Sequence, residues 1–254
     1  MNIEERHKII LDKLSTYGNV KITDLSKELD ISRETVRKDI YNLEKQQKLI
    51  AIRGGATSLS SGISETKYGQ RLQQNTMEKK YIADRALNLI HNSNTIFLDY
   101  GTSVVELAKK IEQSELHDLT IITTSLNVAL IFQYTTRHQL ICLGGGLRPE
   151  EGSFSGPLTL NNIDSLYCDL GFFGCGGISL NAGLTNHYFS EVEVSKKMMQ
   201  HSRQKIVLAP HDKFSKEALY VTAPLSEISH IITDNQTPTE IIKSFNNKRQ
   251  LVLN

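Results

Sequence analysis

From residue 79 onward the chain alternates between two rhythms, and this alternation constrains the fold more than any other feature. Short apolar, β-branched runs, TIFLD (95–99), LTIITTS (119–125) and HQLICLGGG (138–146), are separated by stretches of helical periodicity, VVELAKKI (104–111) and LNVALIFQ (126–133). KKYIADRALNLI (79–90) and EVEVSKKMMQHS (191–202) are also helical in spacing, and LGFFGC (170–175), KIVLAP (205–210), HIITD (230–234) and QLVL (250–253) read as later strands. Strands that are apolar on both faces and alternate with helices predict a mostly parallel sheet with helices packed on its faces. The expected fold class is therefore α/β for this part of the chain.

Residues 1–56 follow a different pattern. Ile3, Ile10 and Leu14 lie at helical spacing, and Gly18 stops that run. Thr23 is a candidate cap for a short second helix holding Leu25 and Leu29, and Asp30-Ile31 makes a tight turn. Ser32 is an N-cap for a third helix with Val36, Ile40 and Leu43 on one face. KLIAIRGGATS then reads as a short hairpin. Three short helices and a hairpin describe an N-terminal winged helix-turn-helix. The segment 57–75 is polar and aperiodic and reads as a linker. The expected organisation is a winged helix-turn-helix domain over 1–56, a linker over 57–75 and an α/β domain over 76–254.

Composition matters at two points. With 39% hydrophobic and 22% charged residues among 254, a packed core is expected and disorder is not. The net charge of +1 hides a small asymmetry: residues 1–56 hold 11 Lys+Arg against 9 Asp+Glu. The charged N-terminus MNIEERHK is followed by no apolar run of signal length, and no stretch approaches ~20 apolar residues, so no membrane partner and a cytoplasmic location are expected. Cys142, Cys168 and Cys175 form no CxxC and have apolar neighbours, which predicts buried, reduced thiols. The eight histidines show no metal-ligand spacing, so no metal is expected.

The stretch SRETVRKDI (32–40) carries the first functional signal. With Val36, Ile40 and Leu43 facing a core, Glu34, Lys38, Tyr41 and Lys45 point outward, flanked by Thr35 and Arg37. A charge run alone describes a solvated helix face. The preceding helix and turn, the N-cap and the following hairpin make it a recognition helix instead, whose first turns meet base edges in the major groove. Candidate DNA contacts are Ser32, Arg33, Glu34, Thr35, Arg37 and Lys38, with Arg53 of the wing on sugar-phosphate or the minor groove. Asp39 lies on the core side and is expected to pair with a basic residue.

The second signal lies at strand ends. Gly101-Thr102-Ser103 follows one expected strand, and Thr123-Thr124-Ser125 with Asn127 follows another. In a parallel sheet both turns sit at the carboxyl edge, where helix N-termini and hydroxyls suit a phosphate. A third turn, LGGGLRPEEGSFSGP (143–157), adds Gly144, Gly145, Gly146 and Arg148. A Thr or Ser at any one such turn is more often a plain cap; the three together favour an anionic small molecule. No GxxxxGK[ST] occurs, and GFFGCGG (171–177) does not fit GxGxxG, so no nucleotide cofactor is expected.

SRETVRKDIYNLEKQQKL followed by RGGA resembles the N-terminal signature of the DeoR/GlpR family of bacterial transcription regulators, on the core Thr35, Val36, Arg37, Lys38, Asp39, Ile40. Ile52 stands where that family often has a histidine. DYGTS (99–103) resembles the family's D-x-G-T-T, ITTSLNVA its T-N-S-x-x-A with Thr124 for Asn, and LAPHDKF its L-A-D-x-S-K-F with Pro210 for Asp and Asp212 for Ser. The resemblance implies an effector domain related in fold to ribose-5-phosphate isomerase and the CoA transferases. It implies operator DNA and a phosphorylated sugar as partners, and a homodimer or homotetramer. Asp99, Gly101, Thr102, Ser103, Thr124, Ser125, Gly145, Glu191 and Lys213 are then the candidate effector residues. The rival is a sugar-phosphate isomerase with an appended DNA-binding domain, using Asp99, Glu191, Asp212 or Lys213; no paired-carboxylate motif supports it.

Overall fold

The computed structural model describes residues 2–17, 19–46, 48–52, 54–58, 68–246 and 251–253. The chain divides into two compact units, residues 1–66 and 67–254.

In the first unit, α1 (Ile3–Tyr17) is followed by β1 (Asn19–Lys21), α2 (Ile22–Glu28), α3 (Arg33–Lys45), β2 (Leu49–Ile52) and β3 (Gly55–Ser58). The strands form one antiparallel sheet in the order β1-β3-β2. The expected hairpin is present, and β1 completes it into a three-stranded wing. Ile10, Leu14, Leu25, Val36, Ile40, Leu43, Leu49 and Ala56 form the core, so the periodic apolar positions of all three helices meet. Ser32 caps α3 as expected, its hydroxyl accepting from the Thr35 N–H at 3.1 Å. Thr23 does not cap α2. That helix starts two residues earlier, at Ile22 with Lys21 at the cap, and the Thr23 hydroxyl donates to the adjacent Asp24. Asp39 is 3% exposed and receives Arg6 through Nε at 2.7 Å and Nη2 at 3.0 Å, with His7 close by. This pair ties α1 to α3 beneath the exposed face. Arg53 lies outside the described residues.

The second unit begins with α4 (Tyr68–Gln73) and α5 (Thr76–Leu87). The strand and helix rhythm follows: β4 (Thr95–Leu98), α6 (Thr102–Gln113), β5 (Thr120–Thr123), α7 (Leu126–Phe132) and β6 (Gln139–Cys142). After a hairpin of β7 (Gly146–Arg148) and β8 (Ser153–Ser155) come α8 (Pro157–Ile163), β9 (Cys168–Phe173), β10 (Gly177–Ser179) and β11 (Gly183–Asn186). The chain ends with α9 (Phe189–Gln200), β12 (Ser202–Leu208), β13 (Tyr220–Ala223), β14 (His230–Ile232), α10 (Thr239–Asn246) and β15 (Leu251–Leu253). The segment read as a linker is thus not uniformly irregular: β3 reaches Ser58 and α4 occupies 68–73, while 59–67 lie outside the described residues.

Seven strands form one parallel sheet in the order β15-β14-β12-β9-β4-β5-β6. Successive residues pack on opposite faces, as strand pleating requires. Ile96, Leu98, Ile121, Phe172 and Leu208 meet α5, α6 and α7 on one side. Phe97, Ile122, Phe173, Val207 and Ile231 meet α8, α9, α10 and the small sheet β10-β11-β13 on the other. The strand order reverses between β4 and β9: β5 and β6 lie to one side, β12, β14 and β15 to the other. Such a switch point opens a crevice at the carboxyl ends of its two strands. Cys168 is buried in β9 and Cys175 is partly buried, but Cys142, at the end of the edge strand β6, is exposed, contrary to expectation.

Candidate functional site

On the first unit, Ser32, Arg33, Glu34, Arg37, Lys38, Tyr41 and Lys45 are all exposed on α3, and Thr35 is half-buried beside the cap. Arg37 pairs with Glu34 at 3.1 Å, and the Lys45 ammonium lies over the Tyr41 ring at 4.7 Å. Both contacts are solvent-exposed and therefore weak, so these cations are available to a polyanion.

On the second unit a cleft opens at the switch point, enclosing ≈ 540 Å³ with the solvent at its mouth included. Its floor is the close approach of the β4–α6 turn to the end of β9. A Cβ built on Gly101 would stand 3.0 Å from the Gly174 Cα, so two glycines let these backbones meet. Gly101 provides no side-chain cap for α6, which leaves the first-turn N–H groups of Thr102 and Ser103 uncapped by any side chain and beside their own hydroxyls. The opposite wall brings Pro210, Asp212 and Lys213 from the turn after β12, and the third wall brings Arg71, Gln74, Asn75 and Lys79 from α4 and α5.

The charge in this cleft is lopsided: Arg71, Lys79 and Lys213 line it against the single carboxylate of Asp212. Asp212 accepts from Asn75 Nδ2 at 2.7 Å and lies 3.5 Å from the Lys213 ammonium. Lys79 is 4% exposed, and its ammonium donates to the Gln74 carbonyl at 2.6 Å and to that of Arg71. Burial, with the neighbouring charges of Lys213 and Arg71, lowers its pKa to about 8. Arg71 is ion-paired with Glu151. Burial pushes the Cys175 thiol up to about 12, so it is a neutral wall residue rather than a nucleophile.

Of the effector candidates, Gly101, Thr102, Ser103 and Lys213 line the cleft together; Asp99, Thr124, Ser125, Gly145 and Glu191 are not among its lining residues. Each of those five has a place in the fold. Asp99 is 1% exposed and accepts from the Ser195 hydroxyl at 3.2 Å; burial pushes its carboxyl up to about 7. Ser125 caps α7, accepting from the Val128 N–H, and the Thr123 hydroxyl ties β5 to the Leu98 carbonyl at 2.7 Å. Of the hydroxyls at this turn, that of Ser125 is thus spent on its own helix and that of Thr123 on the neighbouring strand. Glu191 is 2% exposed and pairs with Arg148 at 2.8 Å and with the Ser153 hydroxyl. Gly145 packs against Thr159 and the Ser155 carbonyl. The Thr124 hydroxyl is buried with no hydrogen-bond partner among the described residues.

Sequence reasoning missed Arg71, Gln74, Asn75 and Lys79. Arg71, Gln74 and Asn75 fell in the apparent linker. Lys79 carried a legible signal: with Ile82, Ala83 and Ala86 it occupies the buried stripe of a helix, a position where a lysine is costly unless its charge is used. Among the described residues no cluster of His, Cys, Asp or Glu could hold a metal ion, and no helix is long and apolar enough to cross a membrane.

Comparison with known proteins covers both units. Residues 6–62 match the family model of the DeoR-like helix-turn-helix domain, and residues 74–235 that of the DeoR C terminal sensor domain. The HTH-type transcriptional repressor GlcR of Bacillus subtilis (strain 168) is 33% identical over 91% of this chain and 88% of its own. The glycerol-3-phosphate regulon repressor of Escherichia coli (strain K12) is 28% identical over 96% of this chain and 95% of its own. Among solved structures, ribose 5-phosphate isomerase A of Methanocaldococcus jannaschii aligns with 56% of this chain and 56% of its own, at 19% identity and a TM-score of 0.41.

Proposed function

Since the chain belongs to the DeoR family, we propose that it is a transcriptional repressor whose affinity for operator DNA is set by a phosphorylated sugar or polyol bound in the switch-point cleft. The observation that carries the ligand class is the uncapped N-terminus of α6 facing Arg71, Lys79 and Lys213. A phosphate accepts from the Thr102 and Ser103 N–H groups and hydroxyls, and the three cations balance its charge. Asn75, Asn186 and Gln74 line the remainder of the cleft with amide groups suited to hydroxyls of the attached carbon chain.

The DNA-binding surface is the exposed face of α3, with Arg33, Glu34, Arg37 and Lys38 in its first two turns and Ser32 and Thr35 at its start. Arg53, outside the described residues, is the further candidate for a sugar-phosphate or minor-groove contact. Symmetric half-sites require paired recognition helices, so the working form is a homodimer or homotetramer, acting in the cytoplasm where operator DNA is found. Effector and operator are coupled by linkage: if each favours a different arrangement, each weakens the other by the same factor.

The isomerase alternative has less support. Proton abstraction requires a carboxylate base within reach of the substrate. Asp99 and Glu191 do not line the cleft, and Asp212 is already engaged by Asn75 and the lysines at 213 and 216.

The test is a thermal-shift titration with a panel of phosphorylated sugars and polyols, glycerol 3-phosphate included, followed by operator binding with and without the hits. A true effector raises the midpoint with concentration by mass action and changes operator affinity. A panel in which no phosphorylated compound does both would reject the reading.

A further inference from the structure

The cleft is walled on one side by α4, a six-residue helix with no buried residue. Its hold on the second unit includes two charged contacts, and both come from cations that face the cleft. Arg71, on α4 itself, pairs with Glu151, whose side chain is 2% exposed. Glu151 is fixed in turn, because its carbonyl accepts from Asn127 Nδ2 at 2.8 Å and the next residue's carbonyl accepts from the Leu126 N–H at 2.7 Å. Lys79, from the first turns of α5, reaches back to the carbonyls of Arg71 and Gln74 at the carboxyl end of α4. Between the two helices, Asn75 takes a left-handed conformation, φ 49°, and holds Asp212 across the cleft.

These contacts define a competition. A phosphate dianion at the α6 N-terminus offers Lys79 a stronger acceptor than the two carbonyls it now uses and sets a second anion against Glu151 for Arg71; an ammonium cannot serve two backbone carbonyls and a phosphate equally well. We propose that α4 is the element of this regulator that responds to the effector: the phosphate draws Arg71 from Glu151 and Lys79 from the Arg71 and Gln74 carbonyls, and so frees α4 from the wall of the cleft. This rests on the reading of the cleft as a phosphate site and assigns the regulation of that site. Arg71 and Lys79 are then both ligand residues and the latch, while Lys213 supplies charge to the ligand without holding α4. Glu151 is the internal anion that the effector displaces.

The experiment uses the full chain with inorganic phosphate as the probe, and measures calorimetric affinity together with amide hydrogen exchange of the 68–79 segment. In the wild-type protein, saturating phosphate should accelerate exchange of the α4 and 74–76 amides by about tenfold or more, the effect of losing the charge-assisted contacts of Arg71 and Lys79. Glu151→Gln, which keeps shape and removes the competing charge, should bind phosphate about tenfold tighter and show fast α4 exchange without it. Lys213→Ala should bind phosphate more weakly yet reach the same α4 exchange at saturation. Wild-type protein that binds phosphate with α4 exchange unchanged or slowed would overturn the coupling and leave the phosphate site intact. Unaltered phosphate affinity in Glu151→Gln would remove Glu151 as competitor and overturn it too. Absence of phosphate binding in the wild type would reject the site itself, and the coupling with it. The wild-type measurement decides the matter even if Glu151→Gln fails to fold.

Discussion

Replacing Lys213 by alanine tests the effector site most directly, because two consequences follow from the same geometry. The ammonium of Lys213 is about a quarter exposed and lies 3.5 Å from the Asp212 carboxylate, so its own contribution to stability is that of a largely screened pair, ~1 kcal/mol or less. Against a phosphate its role is larger. A charge-assisted contact to an anion that has been desolvated contributes ~1.5–3 kcal/mol, so effector affinity at pH 7 should fall by roughly tenfold to a hundredfold. The second consequence concerns Lys79. Lys213 is among the charges that hold Lys79 down to about 8. Without it the Lys79 pKa rises and its ammonium persists to higher pH. In the wild type, affinity should decline as pH passes upward through about 8 and Lys79 loses its proton; in Lys213→Ala that decline should move to higher pH. The assay is a calorimetric titration of the effector identified by thermal shift, from pH 7 to 10, where the phosphate is already dianionic. A parallel titration of effector-free protein against operator should change little, leaving a repressor that no longer responds at ordinary effector concentrations. Undiminished effector affinity at pH 7 would place the phosphate elsewhere. Equal losses toward effector and operator would show that position 213 supports folding.

Four further outcomes are expected. Arg37→Ala should weaken operator binding by ~1–3 kcal/mol and flatten its salt dependence, measured by fluorescence anisotropy at several salt concentrations; unchanged affinity would remove Arg37 from the interface. Ser32→Ala removes the α3 cap and should destabilise the N-terminal unit by ~0.5–2 kcal/mol in urea unfolding, with wild-type effector binding in the other unit. Gly145→Ala places a Cβ 2.0 Å from Thr159 Oγ1 and 2.7 Å from the Ser155 carbonyl oxygen, so the backbone must shift; a loss of ~1–3 kcal/mol in the second unit is expected from the same assay. Lys79 has a folded pKa of about 8 against 10.5 in the unfolded chain, so the unfolded chain binds more protons between those values and stability rises with pH across that window. After solvent screening at the cleft mouth the gain is ~1–3 kcal/mol relative to Lys79→Gln, and parallel stability–pH curves for the two proteins would refute it.

Much of this architecture was legible from local pattern alone. Residue type at a period of 2 or 3.6 records which side of an element faces a core, and that record survives in the order of residues. Alternating β-branched runs and amphipathic stretches therefore announced the parallel sheet, and Ser32 with Val36, Ile40 and Leu43 announced a capped recognition helix whose core face the structure reproduces. Glycine followed by hydroxyls at residues 101–103 marked one true wall of the cleft. Strand order was not legible, because pairing of β4 with β9 joins segments some seventy residues apart and no local period encodes it. Only that pairing creates the switch point and decides which of two similar turns stays open: Ser125 spends its hydroxyl capping α7, while α6 begins with an uncapped Gly101. Tertiary contact also decides where charge is used. Glu191, an effector candidate by sequence, is matched with Arg148 of β7, forty-three residues away, and Arg71, lost in a polar segment, reaches Glu151 eighty residues on. A charge has no preferred period and is costly to bury unpaired, so its partner is set by whichever elements the fold brings within a few ångströms.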